Sequence, residues 1–165
     1  NSITKTIVIT SATGDNSKFG FESDVEGFYT GSTDTTTLSV SSEKAYKGNS
    51  SLKVAIKGTT DGKTDAKIDT QVIPAGSTIT FRIWIPSAAP LKAIQAYCMP
   101  HNADWSDTKW HAKWGGYEYL TKDAWNEFSF ILPEDTDMTY AQQLGIQVET
   151  SGEGDFDLYV DSIDW

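Results

Sequence analysis

The chain has one cysteine, Cys98, among 165 residues. No internal disulfide can form, and a zinc site of several thiolates is excluded. The neighbours of Cys98 read as a strand facing the core, which makes it a buried, inert thiol. Positive charge is also scarce. Thirteen Lys and Arg stand against 23 Asp and Glu, for a formal net charge of −10. Nucleic acid and anionic membranes are therefore poor partners, because the long-range field repels them, whereas a neutral polymer is compatible. No apolar run approaches the ~20 residues of a membrane span. No signal-peptide pattern is present, so an exported protein would begin here after its signal or inside a longer chain. There is no Gly-x-Ser-x-Gly, no His-Glu-x-x-His, no phosphate loop and no EF-hand loop. No long helical period, internal repeat or linker divides the chain, and one domain is expected over residues 1–165.

Aromatic residues are abundant, at 12% of the chain. They concentrate between Leu91 and Leu120, which holds Trp105, Trp110 and Trp114 with Tyr97, Tyr117 and Tyr119. Their neighbours are Asp, Lys, His, Asn and Gly, where a core segment would supply Leu, Ile and Val. Aromatic planes mixed with hydrogen-bonding side chains suit a surface that grips something flat and polar, such as a sugar ring.

The rest of the chain reads as short strands. Thr6–Thr10 and Phe19–Phe21 open it. Thr37–Val40 alternates, as does Ser51–Lys57 with Leu52, Val54 and Ile56 on one side. Ser77–Pro86 is the clearest strand: Ile79, Phe81, Ile83 and Ile85 share one face, Arg82 and Trp84 the other. Ile94, Ala96 and Cys98 oppose Gln95 and Tyr97. Phe128, Phe130 and Leu132 form an apolar face, as do Leu144, Ile146 and Val148 against Gln147 and Glu149. A last strand runs into Trp165, itself read as core, and Trp125 is read as packing. About ten strands at 8–12-residue spacing, with helical turns possible only at 120–125 and 140–144, predict an all-β fold: a two-sheet β-sandwich of jelly-roll type.

Arg82, Trp84, Gln95, Tyr97, Gln147 and Glu149 all lie opposite the aliphatic face of their strands. If these strands share a sheet, they form one outer face on which amides and Arg bond vicinal hydroxyls while aromatic rings stack on pyranose planes. For Arg82 and Glu149 taken alone, ordinary solvated positions are the simpler reading. Trp110 and Trp114, then Trp105, are the expected platforms. His101 and His111 flank this loop with Asp104 and Asp107 between them, yet no carboxylate pair is placed by pattern for glycoside hydrolysis. Glu22, the Lys47–Asn49 turn and Asp161 are oxygen-bearing but scattered, a weak metal signal on their own.

Six segments carry a resemblance: Phe19-Gly-Phe-Glu-Ser, Ala45-Tyr-Lys-Gly-Asn-Ser-Ser-Leu-Lys-Val, Ile94-Gln-Ala-Tyr, Trp125-Asn-Glu-Phe, Gln143-Leu-Gly-Ile-Gln-Val and Leu158-Tyr-Val-Asp-Ser-Ile-Asp-Trp. In that order they resemble the calcium-containing jelly-roll carbohydrate-binding modules of bacterial plant-polysaccharide hydrolases. Family 16 is nearest, and the galactan- and mannan-binding modules come next. The resemblance implies a non-catalytic, secreted bacterial module that is monomeric and joined to a catalytic domain. It implies Gln95 and Gln147 as amide contacts, and Glu22, Lys47, Asn49 and Asp161 as ligands of a structural calcium ion. Phe28 and Tyr29 stand where relatives tend to show Trp, so that platform is expected to be weaker or displaced. The loop from Asn102 to Lys113 also departs from the pattern. The expected ligand is a β-linked plant polysaccharide, with mannan, glucomannan or β-glucan ahead of galactan and xylan. A small jelly-roll hydrolase or lyase and a structural adhesion domain are the alternatives.

Overall fold

The computed structural model describes residues 15–135 and 141–165. Among the described residues nine strands form two antiparallel sheets: β1 (Thr36–Ser41), β2 (Ser51–Gly58), β3 (Lys63–Gln71), β4 (Thr78–Ile85), β5 (Leu91–His101), β6 (His111–Gly116), β7 (Ala124–Ile131), β8 (Ala141–Thr150) and β9 (Gly154–Asp164). One sheet has the order β1-β2-β9-β4-β7, the other β3-β8-β5-β6. The β-sandwich expected from the alternation is the fold observed.

Period-two patterning builds the core. Leu52, Val54, Ile79, Phe81, Ile83, Ile85 and Leu158 of the five-stranded sheet meet Ile94, Ala96, Cys98, Leu144, Ile146 and Val148 of the four-stranded one, all buried. Each side chain of this size contributes ~1.5–3 kcal/mol on burial. Cys98 sits within this layer, and burial pushes its thiol up to about 12. It is inert, as expected.

Several local readings change. The Thr6–Thr10 strand lies outside the described residues, as does residue 140, and the rest of the helical turn expected at 140–144 is instead the start of β8. Phe19 makes only an isolated bridge to Ile163, and Phe21 takes φ +53°, so this segment is not a strand. The short helical turn is a 3-10 turn at Tyr117–Tyr119, before residues 120–125. Trp165 is half-buried at the core's margin, tilted against Phe19.

The condition that these strands share one sheet fails for Arg82 and Trp84. They belong to β4 in the five-stranded sheet, whereas Gln95, Tyr97 and Gln147 lie in the other. Alternation assigns a residue to the outer side of its strand, but both sheets have an outer side. The rings and charges around Arg82 and Trp84 satisfy one another. Arg82 pairs with Glu127 at 2.6 Å and lies 4.9 Å from the Tyr46 ring centre. Trp84 is packed edge-on by Trp125 and covered by the Lys44 ammonium at 4.6 Å. Trp125 does the packing expected of it.

Candidate functional site

The outer face of the four-stranded sheet carries the polar and aromatic residues in rows. Strand register sets Asp65, Gln147, Gln95 and Trp114 side by side across β3, β8, β5 and β6. The next row is Lys67, Gly145, Tyr97 and Ala112. Gly145 has no room for a side chain, because a Cβ there would meet the Ala66 carbonyl and the Lys67 backbone.

Three tryptophans follow one another along the β5–β6 side. Trp114 is 56% exposed, and its ring end lies over Gly116. Trp110 stacks on Tyr97 with ring centres 4.2 Å apart and planes 16° apart. Trp105 stacks on His101 at 3.3 Å and 9°. Each of the last two has one face covered from below and is 43% exposed, so its other face is available. At ~3.3 Å per residue, the levels of Gln95, Tyr97 and His101 on β5 spread the three platforms over about 20 Å. Tyr97 itself is 2% exposed. It is the support beneath Trp110, a correction to its expected role as a direct contact.

Trp105 is held by a loop that bonds to itself. Asn102 donates to Ser106 Oγ and its carbonyl oxygen accepts from Asp107 N–H, while Asp104 accepts from Ser106 N–H and Oγ–H. Trp105 sits at φ +61°, a costly backbone state for a large side chain that the loop bonds and the His101 stack maintain. His101 Nδ1 lies 2.9 Å from the Asn102 carbonyl. His111 faces the core side at the level of Cys98 and belongs to no cluster with His101.

Opposite the tryptophans stands Tyr29, 40% exposed and joined to β3 by a bridge to Lys67. Its ring lies 5.4 Å from the Lys67 ammonium. Burial and the hydrogen bond to the Asp69 carboxylate push its phenol up to about 12.

The floor between the rims is hydrogen-bonded throughout. Gln95 Nε2 donates to Gln147 Oε1 at 2.8 Å. That leaves the Gln147 amide N–H₂ as a donor and the Gln95 carbonyl as an acceptor in the same row as Trp114. Lys67 pairs with Asp65 at 2.7 Å, and Asp65 also accepts from Gly31 N–H. Asp69 accepts from Tyr29 Oη–H and Gln143 Nε2–H. Burial works to raise the Asp69 carboxyl, but these bonds and the charges of Lys67 and His101 outweigh it and hold it below the usual carboxylate range. Glu149 stands at the sheet's end, paired with Lys63 and Lys92, an ordinary surface position.

Sequence reading missed Asp65, Lys67, Asp69 and Gln143. The signal was present in β3, where Asp65, Lys67 and Asp69 alternate with buried Ala66 and half-buried Ile68.

The expected metal residues meet at one corner on the other sheet's outer side. Asp161, fully buried, accepts from Tyr46 N–H (2.7 Å) and Lys47 N–H (3.1 Å). Glu22 accepts from Asn49 N–H at 3.0 Å. Gly48, at φ +65° between them, packs against the Glu22 carboxylate, and a side chain there would strain the backbone and displace Glu22. Asp15 joins them by accepting from Ser162 Oγ–H. Among the described residues no three acidic, His or Cys side chains converge on one metal position, and no ion pair includes Asp161. Burial pushes the Asp161 carboxyl up to about 6. A buried carboxylate served only by neutral donors fits a hard divalent cation, which would hold it ionised. Asp15, Glu22 and Asp161 with the Lys47–Asn49 turn do not converge on one position, whereas calcium takes six to eight oxygens.

No protein-family model and no curated protein matches the chain. Solved structures do, and they are carbohydrate-binding modules. One, from work on the promiscuous specificity of carbohydrate-binding modules of the β-sandwich superfamily, is 48% identical over 94% of this chain, with a TM-score of 0.89. This chain spans 64% of that protein's length. The Clostridium thermocellum xylanase 10B fragment, a family 22 module joined to a family 10 catalytic module and complexed with xylohexaose, matches at TM-score 0.61. The identity there is 13%, covering 88% of this chain and 27% of that one. A family 16 module matches at TM-score 0.54 and 16% identity, covering 88% of this chain and 94% of that one. At such identities these two share the fold alone, so assignment to family 16 is not supported over the others.

Proposed function

We propose that this chain is a non-catalytic carbohydrate-binding module that takes a β-linked plant polysaccharide along the four-stranded face. The observation that carries the reading is the row Asp65–Gln147–Gln95–Trp114 with the Trp110 and Trp105 platforms beyond it. A sugar ring laid on Trp114 or Trp110 buries its apolar face. The adjacent amide donor and acceptor meet neighbouring hydroxyls, each of which both donates and accepts. Asp65 is paired with Lys67, and two donors hold the Asp69 carboxyl below the usual carboxylate range, so Asp69 is not poised as a proton donor.

Among β-linked chains we favour mannan, glucomannan and β-glucan. Xylan is the second reading, favoured by the ligand of the fold relative that carries xylohexaose. The module would serve a covalently attached glycoside hydrolase in a secreted bacterial protein, as a monomer. A structural calcium ion would be held at the Glu22–Lys47–Asn49–Asp161 corner, where its charge would keep the Asp161 carboxylate ionised.

Isothermal titration with manno-, cello-, xylo- and galacto-oligosaccharides in the presence of calcium tests the reading. Heat with the manno- or cello-series and little with the others is the expected result. Heat with the xylo-series alone would keep the module and replace the ligand. Silence from all four in folded protein would end the reading for these chains. Affinities are expected to be modest, because solvent-exposed stacking offsets only part of the ordering cost.

A further inference from the structure

We propose that Asp69 is a positioning residue that couples the two aromatic rims of the binding face, an inference that rests on the carbohydrate reading of that face. A single hydrogen-bonded relay crosses the floor. Tyr29 Oη–H donates to Asp69 Oδ2 at 2.6 Å, and Gln143 Nε2–H donates to Asp69 Oδ1 at 2.7 Å. Tyr97 Oη–H donates to Gln143 Oε1 at 2.9 Å. Tyr97 then carries Trp110 on its ring face. One end of the relay is an exposed tyrosine on the β3 rim, and the other is an exposed tryptophan on the β6 rim. Three adjacent strands lie between, about 10 Å from the first to the third at ~4.8 Å per spacing.

The direction of every bond follows from the carboxylate. Asp69 offers acceptors only, so Gln143 must turn its N–H₂ toward Asp69 and its carbonyl toward Tyr97. Tyr97 must then donate. With the Tyr97 hydroxyl fixed and its ring 2% exposed, the plane on which Trp110 rests is fixed too. Both Asp69 oxygens are occupied by protein donors, which is why it acts through Tyr29 and Trp110 and does not act as a sugar contact. An amide in its place is neutral and has one acceptor oxygen, so Asp69→Asn removes the charge from both bonds and keeps the second only by donating to the Tyr29 hydroxyl, which reverses that bond and loosens one rim. The other aromatic cluster, around Trp84, has no such relay, since its rings are covered by Lys44 and Trp125.

The experiment compares wild type, Asp69→Asn, Tyr29→Phe and the double variant. Two readouts are used: titration with the oligosaccharide series that wild type binds, and the Trp110 indole N–H resonance without sugar, assigned by its loss in Trp110→Phe. Loss of a charge-assisted bond on this scale lowers affinity about tenfold in Asp69→Asn. The Trp110 resonance is expected to move in that variant, although Asp69 does not touch Trp110, and the double variant is expected to bind no worse than the worse single one. Affinity within twofold of wild type, a stationary Trp110 resonance, or additive losses in the double variant would each overturn the proposal. Should wild type bind none of the sugars, the carbohydrate reading fails, and the Trp110 resonance alone decides whether the relay exists. Should Asp69→Asn not fold, Tyr29→Phe carries the test, since it removes one rim hydroxyl and keeps the carboxylate. A moved Trp110 resonance then supports the relay, and an unmoved one overturns it.

Discussion

Trp114, Trp110 and Trp84 separate packing from recognition at the level of the single residue. Trp114 and Trp110 present ring surface to solvent on one sheet, and Trp84 is half-buried on the other, packed by Trp125 and Lys44. An aromatic contact is worth about 0.5–1.5 kcal/mol beyond the area it buries, so Trp114→Ala or Trp110→Ala is expected to cost about tenfold in affinity for the bound oligosaccharide. Their melting temperatures should change little, because neither ring belongs to the core. Trp84→Ala should do the reverse, with unchanged affinity and lower stability, from loss of the Trp125 and Lys44 contacts. Calorimetric titration and a thermal melt on the three variants decide it, and weaker sugar binding in Trp84→Ala would return that residue to the site. Residue by residue, the sequence shows the identity of a surface before it shows its address. Gln95, Gln147, Trp110 and Trp114 were legible because each stands opposite an aliphatic neighbour or in a polar loop. Arg82 and Trp84 have the same local pattern, and only strand pairing across the fold distinguishes them. Asp69 and Gln143 went unassigned because a relay over 74 positions of chain has no local signature.

Elements carry the next level of organisation. The connection between β1 and β2 turns back over the outer side of the five-stranded sheet, fastened by Asp161 and Glu22 to backbone N–H groups of its turn. This clasp joins an early segment, a middle turn and β9, so a cation there would tie three distant parts of the chain. If the ion binds only the folded state, calcium at 100 times its dissociation constant adds about 2.7 kcal/mol. For a chain of this size that raises the melting temperature by roughly 5–10 °C. Chelation should lower the melt by that amount, and Asp161→Asn should abolish the difference between calcium and chelator. A melt indifferent to both would leave the clasp a hydrogen-bonded one. Strands were the most legible level of all, since period-two alternation places β2, β4, β5, β7 and β8 with their buried faces correct. The segment around Phe19–Phe21 was misread. Its aromatics fill the core from an irregular backbone at positive φ, a state that alternation cannot signal.

For the whole molecule the governing quantity is charge. A net charge of −10 surrounds a binding face whose own carboxylates, Asp65 and Asp69, are held in place by Lys67, Tyr29 and Gln143. On the proposed reading, a neutral glycan would approach this surface without a long-range penalty, and its contacts would be stacking and hydrogen bonds, which salt screens little. A uronic-acid chain meets both the field of the molecule and the Asp69 carboxylate at close range, and lacks an unpaired cation in the floor rows to receive it. The Debye length falls from about 10 Å at 0.1 M salt to about 3 Å at 1 M, so salt removes the long-range part of this repulsion and leaves the local part. Affinity for the neutral ligand is therefore expected to stay within about twofold between these salt concentrations. A polyuronate should show no retention at low salt and at most weak retention at high salt. Affinity electrophoresis in gels of each polymer at the two ionic strengths measures both. Tight polyuronate binding that weakens as salt is added would mean that the face recruits anions, and would remove neutral polysaccharide as its ligand.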